Sequence, residues 1–106
     1  MAHLLVNHIV EDYGKWKHNF DAHASARFVN GSRGGKVFCS ANNPNEVFVL
    51  LEWDNVENAK KFAQSQNIKE VMKNAGIVGM PAFYFIEETF ITKATFVPFD
   101  KEKGCV

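Results

Sequence analysis

The chain has 106 residues, enough for one domain, and its 12 lysines and arginines balance its 12 aspartates and glutamates. A neutral chain has no overall charge that would draw it to nucleic acid or to an anionic membrane surface, so neither partner is expected. No apolar run reaches the roughly 20 residues that span a bilayer, and the first residues lack the features of a signal peptide. These observations predict a soluble cytoplasmic protein.

The first two predicted elements are a strand and a helix. Residues 2–10 form a short apolar run that is followed by charged residues, as is typical of a strand. Asp12 can accept hydrogen bonds from the free amides of a first helical turn and is the expected N-cap. Apolar residues then recur at three- and four-residue steps up to Gly31, a residue that readily ends a helix. One helix from residue 13 to Gly31 is therefore predicted.

A hairpin and a second helix follow. Turn-forming residues 42–45 separate the apolar runs VFCSA and EVFVLLEW. The SRGG segment, residues 32–35, is expected to be a flexible entry to the hairpin that could serve as a lid. Asp54 and Glu57 have the spacing of a capping box, so a helix should begin at about residue 55.

The last predicted elements are a short helix and a strand. Asn67 is the expected N-cap of residues 68–75, and Gly76 is the expected stop. Pro81 leads into the strand AFYFIEE. The resulting order, βαββαβ, is that of a ferredoxin-like α+β domain with an antiparallel sheet, and we assign it to residues 1–88.

The predicted strands carry apolar residues on both faces. In the third strand, Val47 and Val49 alternate with Phe48 and Leu50, whereas a sheet with one solvated face would alternate apolar with polar residues. Right-handed crossovers place both helices on the same face, so something else must cover the second face. We predict a homodimer in which the two sheets pack face to face as a dimeric α+β barrel.

Residues 89–106 form a C-terminal extension. Its composition stays strand-like through Val97, and Pro98 would end such a strand. The extension could supply an extra edge strand, or one exchanged with the partner subunit, which would cover an open sheet edge. A loosely attached tail is the alternative.

Four segments between residues 3 and 88 form a recognisable set: VNHIVEDYGKWKHNFDAHASAR, GSRGGKVFCSANNPNEVFVLLEW, AKKFAQS and AGIVGMPAFYFIEE. Together they resemble the dimeric α+β barrel superfamily, and within it the small proteins grouped with antibiotic-biosynthesis monooxygenases. Relatives include cofactor-free monooxygenases of aromatic polyketides, haem-degrading enzymes and isomerases. The resemblance thus implies a fold, a dimer and a ligand cavity between sheet and helices, but no single activity.

The haem-degrading relatives combine an asparagine, a tryptophan and a histidine that lies on a later helix. Here Asn7 could match the asparagine and Trp53 loosely the tryptophan, but no histidine occurs after His23. Haem degradation is therefore not expected, and no cofactor is predicted. The four histidines and two cysteines also lack the spacing of a metal site, so no metal is predicted.

His8 and His23 are the candidate catalytic residues. Strand alternation places His8 on the apolar face with Val6, and helical spacing places His23 on the stripe of Trp16 and Phe20. A neutral imidazole in an apolar cleft can accept a proton near neutral pH, as a general base does. The alternative for His23 is a structural hydrogen bond to a backbone carbonyl or to a partner side chain.

Seven further side chains are candidates for ligand binding. Arg27 lies one turn beyond His23 and could hold a carboxylate or a phenolate; the alternative is an interaction with the helix C-terminus or packing of its stem over the core. Four residues could line an aromatic cleft, or they could simply be core: Trp16, Phe20, Phe62 and Met72. Trp53 and Tyr84 carry polar atoms that need partners when buried. The candidates are Trp16, Phe20, Arg27, Trp53, Phe62, Met72 and Tyr84.

Three functions fit this pattern. The first is a cofactor-independent monooxygenase or isomerase, in which His8 or His23 deprotonates an electron-rich substrate and Arg27 or Tyr84 stabilises the oxyanion. The second is a cleft that binds a small hydrophobic or aromatic molecule without transforming it. The third is a structural or stress-related dimer whose interior is filled by its own side chains. A cavity in the structure would separate the first two functions from the third.

Overall fold

The computed structural model describes residues 1–94. Within them, four strands form one antiparallel sheet in the order β2-β3-β1-β4, and the helical segments occur in pairs between strands. This confirms the predicted ferredoxin-like α+β fold. The elements are β1 (Ala2–Val10), α1 (Tyr13–Ala22), α2 (Ala24–Asn30), β2 (Ser32–Cys39), β3 (Glu46–Trp53), α3 (Val56–Gln64), α4 (Gln66–Asn74) and β4 (Ile77–Glu87).

The central strand, β1, positions the core. It pairs with β3 on one side and with β4 on the other, and its even-numbered residues are buried beneath the helices. Leu4, Val6 and His8 therefore share the covered face, as their alternation predicted. Trp16 of α1 and Ala59 of α3 pack against this face and close the core.

The first predicted helix is interrupted at His23. Asp12 is its N-cap, as predicted, and accepts from the Gly14 amide at 2.8 Å. His23 leaves helical geometry with φ −97° and ψ 10°, and its amide donates to the Phe20 carbonyl. That carbonyl also accepts from Arg27 Nη1 at 2.7 Å, so a side chain occupies an acceptor that continuous helix would use. The predicted single helix is thus two, and α2 ends at Gly31 as expected.

Two helix starts differ from the predicted caps. The N-cap of α3 is Asn55, whose side chain accepts from the Asn58 amide at 2.8 Å, while Asp54 accepts from the Asn55 amide instead. The N-cap of α4 is Ser65, two residues before the predicted Asn67, and its hydroxyl accepts from the amide of residue 68. In both regions several residues can cap a helix, and spacing alone did not select among them.

The SRGG segment is part of β2 rather than a flexible entry, so the expectation of a lid is wrong. Its pairing with β3 is irregular between Ser32 and Gly35, which marks a bulge. A Cβ atom on Gly35 would lie 2.0 Å from the Leu50 carbonyl oxygen. The segment is rich in glycine because two backbones approach closely here.

The last strand begins at Ile77, earlier than Pro81 suggested. Between Asn7 and Ile9 of β1, the partner residue moves from Ala82 to Val78, so β4 carries two extra residues. Pro81 lies within this bulge, where a missing amide hydrogen breaks no regular ladder bond.

The sheet face away from the helices, here called the open face, is largely apolar. Its exposed large side chains are Ile9, Phe38, Val78, Tyr84 and Ile86. Residues 88–94 continue the chain without helix or strand. The strand predicted through Val97 extends outside the described residues, so a tail exchanged between subunits stays a prediction.

Candidate functional site

A cavity of about 60 Å³ lies between the covered face of the sheet and the helices. We call it the inner cavity. Seven of the nine site residues predicted from the sequence line it: His8, Trp16, Phe20, His23, Arg27, Phe62 and Met72. The sequence did not predict the apolar contribution of Phe83 from β4. Ile68 and Val71 also line the cavity, and their helical spacing placed them on one face, but they were not assigned to the site.

His8 is the most unusual residue of the inner cavity. It is 4% exposed, and neither ring nitrogen has a hydrogen-bond partner among the described residues. Burial disfavours the charged imidazolium and lowers the pKa of His8 from 6.5 to about 4. At neutral pH the ring is therefore uncharged, with one nitrogen able to donate and the other able to accept.

Aromatic rings and a guanidinium continue from His8 along the helices. The His8 and Trp16 ring centroids are 5.5 Å apart, and Trp16 stacks on Phe20 at 5.0 Å with 24° between the planes. The Arg27 guanidinium carbon lies 3.7 Å from the centre of the Phe20 ring. The row combines large apolar surfaces with a polar group at each end, an arrangement suited to a flat, amphipathic molecule.

His23 lies where α1 meets α2. Its side chain does not cap α2, and it lines the inner cavity while remaining only partly buried. His23 lies at the break between the two helices, where the backbone leaves helical geometry. Its direction therefore differs from that of a residue in a continuous helix, which would follow the stripe of Trp16 and Phe20. His8, from the sheet, and His23, from the helices, thus line the same cavity.

Arg27 stands at the edge of the inner cavity. One of its five N–H groups is donated to the Phe20 carbonyl. Burial lowers the pKa of the Arg27 guanidinium, and the Asp21 carboxylate partly opposes this shift. An arginine stays protonated under such conditions, so a positive charge borders an otherwise apolar cavity.

Trp53 and Tyr84 lie outside the inner cavity. Trp53 is completely buried, and its Nε1 has no partner among the described residues. The ring centroids of Trp53 and Phe62 are 5.1 Å apart. Tyr84 is 52% exposed on the open face. It therefore cannot stabilise an oxyanion in the cavity of its own subunit. Asn7 also faces the open side, so it shares no site with Trp53.

Residues 1–94 contain no group of three or more side chains that could hold a metal ion. Over the same range, no helix is long and apolar enough to cross a membrane.

Comparison with known proteins gives a likeness of fold. Neither the known family models nor the curated proteins match this sequence. Among solved structures, a putative antibiotic biosynthesis monooxygenase from Bordetella bronchiseptica superposes with a TM-score of 0.72 at 15% identity, covering 84% of this chain and 97% of that one. A protein of the same description from Caulobacter crescentus CB15 gives 0.66 at 13% identity, with 84% and 90% covered.

The same architecture occurs in a third solved structure. A conserved protein from Methanosarcina mazei Go1 superposes with a TM-score of 0.65 at 13% identity, covering 83% of this chain and 92% of that one. Identities this low relate folds rather than activities. The chain has the fold of the antibiotic biosynthesis monooxygenase-like proteins, as its four sequence segments predicted.

Proposed function

We propose that this protein is a homodimeric α+β barrel whose inner cavity binds a small aromatic molecule through a hydrogen bond to His8. The single observation that supports this most is the buried imidazole with two unpartnered nitrogens beside a cavity. A buried polar group without a partner costs about 1 to 3 kcal/mol. A ligand that supplies the partner recovers that free energy on binding.

The chemistry of His8 suggests the polar group of the ligand. A neutral imidazole offers one donor and one acceptor, and a phenolic or enolic hydroxyl can pair with either. A carboxylate would be a poorer match, since it could use only the donor. Apart from His23 and Arg27, the remaining lining is apolar or aromatic and accommodates a ring.

The size of the inner cavity limits how much of the ligand can enter. Its volume of about 60 Å³ is several times the 10–15 Å³ that one water needs, but it lies well below the roughly 300 Å³ of a typical small-molecule site. Both ring nitrogens of His8 are buried, so the hydroxyl end of a ligand would reach them after a small displacement of a lining side chain. A whole ring would require movement of a flexible side chain, for which Met72 is the best candidate.

Binding of 2-naphthol, followed by amide chemical shifts in NMR spectra, tests this proposal. We expect saturable shifts at β1 and α1, and a loss of affinity of about tenfold in His8→Phe, because one hydrogen bond in an apolar site is removed. His18→Phe is the matched control, since His18 is exposed on α1. Equal affinities of the His8→Phe and wild-type proteins would contradict the proposal.

Oxygenation is the second candidate function, favoured by the fold likeness and by two histidines that line the same cavity. An activated CH₂ group would become a carbonyl: O₂ gives one oxygen atom to the product, and the other leaves as water with both hydrogens. The low pKa of His8 makes it a weak base at neutral pH. His23, which is less buried, is the better candidate for removing the substrate proton, with His8 holding the substrate.

Incubation with anthrone under ¹⁸O₂ tests oxygenation. The expected result is a labelled carbonyl that forms with wild-type protein and is lost in the His8→Ala, His23→Ala double variant. Formation of labelled product at the same rate with both proteins would refute the assignment of the histidines and leave binding as the function.

A further inference from the structure

A second concavity adjoins the inner cavity. This outer groove, of about 400 Å³, lies between α2 and β2 and shares Phe20, Arg27 and Leu51 with the inner cavity. Its volume is in the range of small-molecule sites. The two concavities therefore share a wall that carries the positive charge of Arg27.

The charges along the outer groove are of one sign. Arg27 and Arg33 line it, and no aspartate or glutamate of residues 1–94 does. Lys36 also borders the groove, but strand alternation directs its side chain to the open face, opposite Leu50. Because the chain as a whole is neutral, two arginines without a carboxylate in the lining represent a local concentration of positive charge.

Arg27 is the less neutralised of the two arginines. Arg33 has Asp54 at 3.8 Å. Asp21, which acts on Arg27 electrostatically, is itself bound by Lys17 at 2.7 Å. These are the ion pairs of residues 1–94, so no carboxylate of that part of the chain pairs with Arg27. A partly buried charge without a counter-ion is costly, and an anionic ligand would remove that cost.

We infer that the outer groove binds the carboxylate of an aromatic acid, with Arg27 as the principal contact and Arg33 as a secondary one. The inference extends the proposed function: the same ligand would place its hydroxyl-bearing end towards His8 and its carboxylate on the arginines. The aromatic faces of Phe20 and Phe28 flank the two guanidinium groups, at 3.7 and 5.1 Å from the ring centres. They provide apolar surface beside the charge.

A matched pair of probes separates charge from shape. 2-Naphthoate and 2-naphthol share a ring system, but only the first is an anion at pH 7. We expect wild-type protein to bind 2-naphthoate about tenfold more tightly than 2-naphthol, because a charge-assisted hydrogen bond replaces a neutral one. The amide shifts caused by 2-naphthoate should include residues 33–35, and the affinity should fall as the salt concentration rises.

Variants assign the effect to the arginines. Arg27→Gln should weaken 2-naphthoate binding by about tenfold, and by more than it weakens 2-naphthol binding, because only 2-naphthoate carries a charge. Arg33→Gln, at a more exposed position, should weaken 2-naphthoate binding by about threefold and keeps the test valid if Arg27→Gln does not fold. Lys60→Gln removes an exposed charge on α3 outside both concavities and should change neither affinity.

Two results would overturn the inference. The first is that 2-naphthoate binds no more tightly than 2-naphthol, or does not bind at millimolar concentration. The other is 2-naphthoate affinity that is insensitive to both arginine substitutions. Failure of the proposed function is a different result, since it concerns 2-naphthol and the His8→Phe variant and does not involve the arginines.

Discussion

His8 is a polar side chain at a position where the part of the chain that the structure describes provides no polar partner. It lies in the central strand with Trp16 over its ring, and a hydrophobic residue of similar size could fill the same space. Its free nitrogens reduce the stability of the unliganded protein. Residues that break a local rule of folding in this way are most often found at functional sites.

The pH dependence of stability follows from the same residue. Because the pKa of His8 is about 4 in the folded chain and 6.5 when unfolded, the unfolded state binds more protons between these values. The contribution of His8 to stability should be constant above about pH 7 and decrease as the pH falls, by about 2 kcal/mol at pH 5. Urea denaturation at pH 8 and pH 5 measures this difference.

His8→Phe provides the comparison for that measurement. The variant lacks the group that titrates, so its loss of stability between pH 8 and pH 5 should be smaller by about 2 kcal/mol. His18→Gln, which removes an exposed histidine of α1, should behave like the wild type. A wild-type stability that changes no more than that of His8→Phe would show that His8 is not desolvated in the folded protein.

For the strands and helices, sequence patterns correctly predicted which residues share a face. Alternation placed His8 on the covered face, and helical spacing placed Trp16 and Phe20 on one stripe, because these periods follow from backbone geometry. The break at His23 was not predictable in this way. It depends on the Arg27 guanidinium reaching the Phe20 carbonyl across seven positions of the chain. Tyr84 was misplaced for another reason: spacing gives alternation within a strand, but not which face the helices cover.

Sequence spacing also did not identify the residue that caps α4. Substitutions at Ser65 and Asn67 test which of the two is the cap. Ser65→Ala should cost about 1 kcal/mol in the free energy of unfolding, because the hydroxyl accepts from the amide of residue 68. Asn67→Ala should change stability by less than about 0.5 kcal/mol, since Asn67 is exposed within α4. Chemical denaturation of both variants compares the two positions. A larger effect at Asn67 would favour the cap predicted from the sequence.

The bulge in β2 is tested by its glycines. A Cβ atom on Gly35 would clash with the Leu50 carbonyl, so Gly35→Ala should destabilise the protein by about 3 kcal/mol or more. Gly34 has open space around it but a φ of +106°. Gly34→Ala should therefore cost only about 1 to 2 kcal/mol. Thermal or urea denaturation gives both values, and equal effects would contradict the close approach of β2 and β3.

In the molecule as a whole, the open face is the main apolar surface that no element covers among residues 1–94. It exposes large apolar side chains from one edge strand to the other, including Phe38 on β2 and Tyr84 on β4, and exposed apolar surface of this kind in a small protein indicates an interaction site. A second copy of the sheet would cover it with a matching surface, as predicted from the sequence. The helices and the inner cavity would remain on the outside of such a dimer.

Native mass spectrometry tests this arrangement. We expect a mass of about 24 kDa, twice the 12.0 kDa of one chain. Tyr84→Lys should shift the protein to monomer, because a charge would be buried between the sheets without a counter-ion. Gln64→Lys adds the same charge on exposed α3 and should leave the dimer intact. A wild-type protein that is monomeric at micromolar concentration would contradict the proposed barrel.

Under the proposed function, His8 makes the polar contact of a ligand in the inner cavity. The nitrogen chemical shifts of the histidine rings, measured by NMR on ¹⁵N-labelled protein at pH 7, test it most directly. Addition of 2-naphthol should change the chemical shifts of both ring nitrogens of His8, because His8 gains a hydrogen-bond partner. The ring-nitrogen shifts of exposed His18, which gains none, should stay unchanged. Unchanged nitrogen shifts of His8 in a sample saturated with 2-naphthol would contradict the claim.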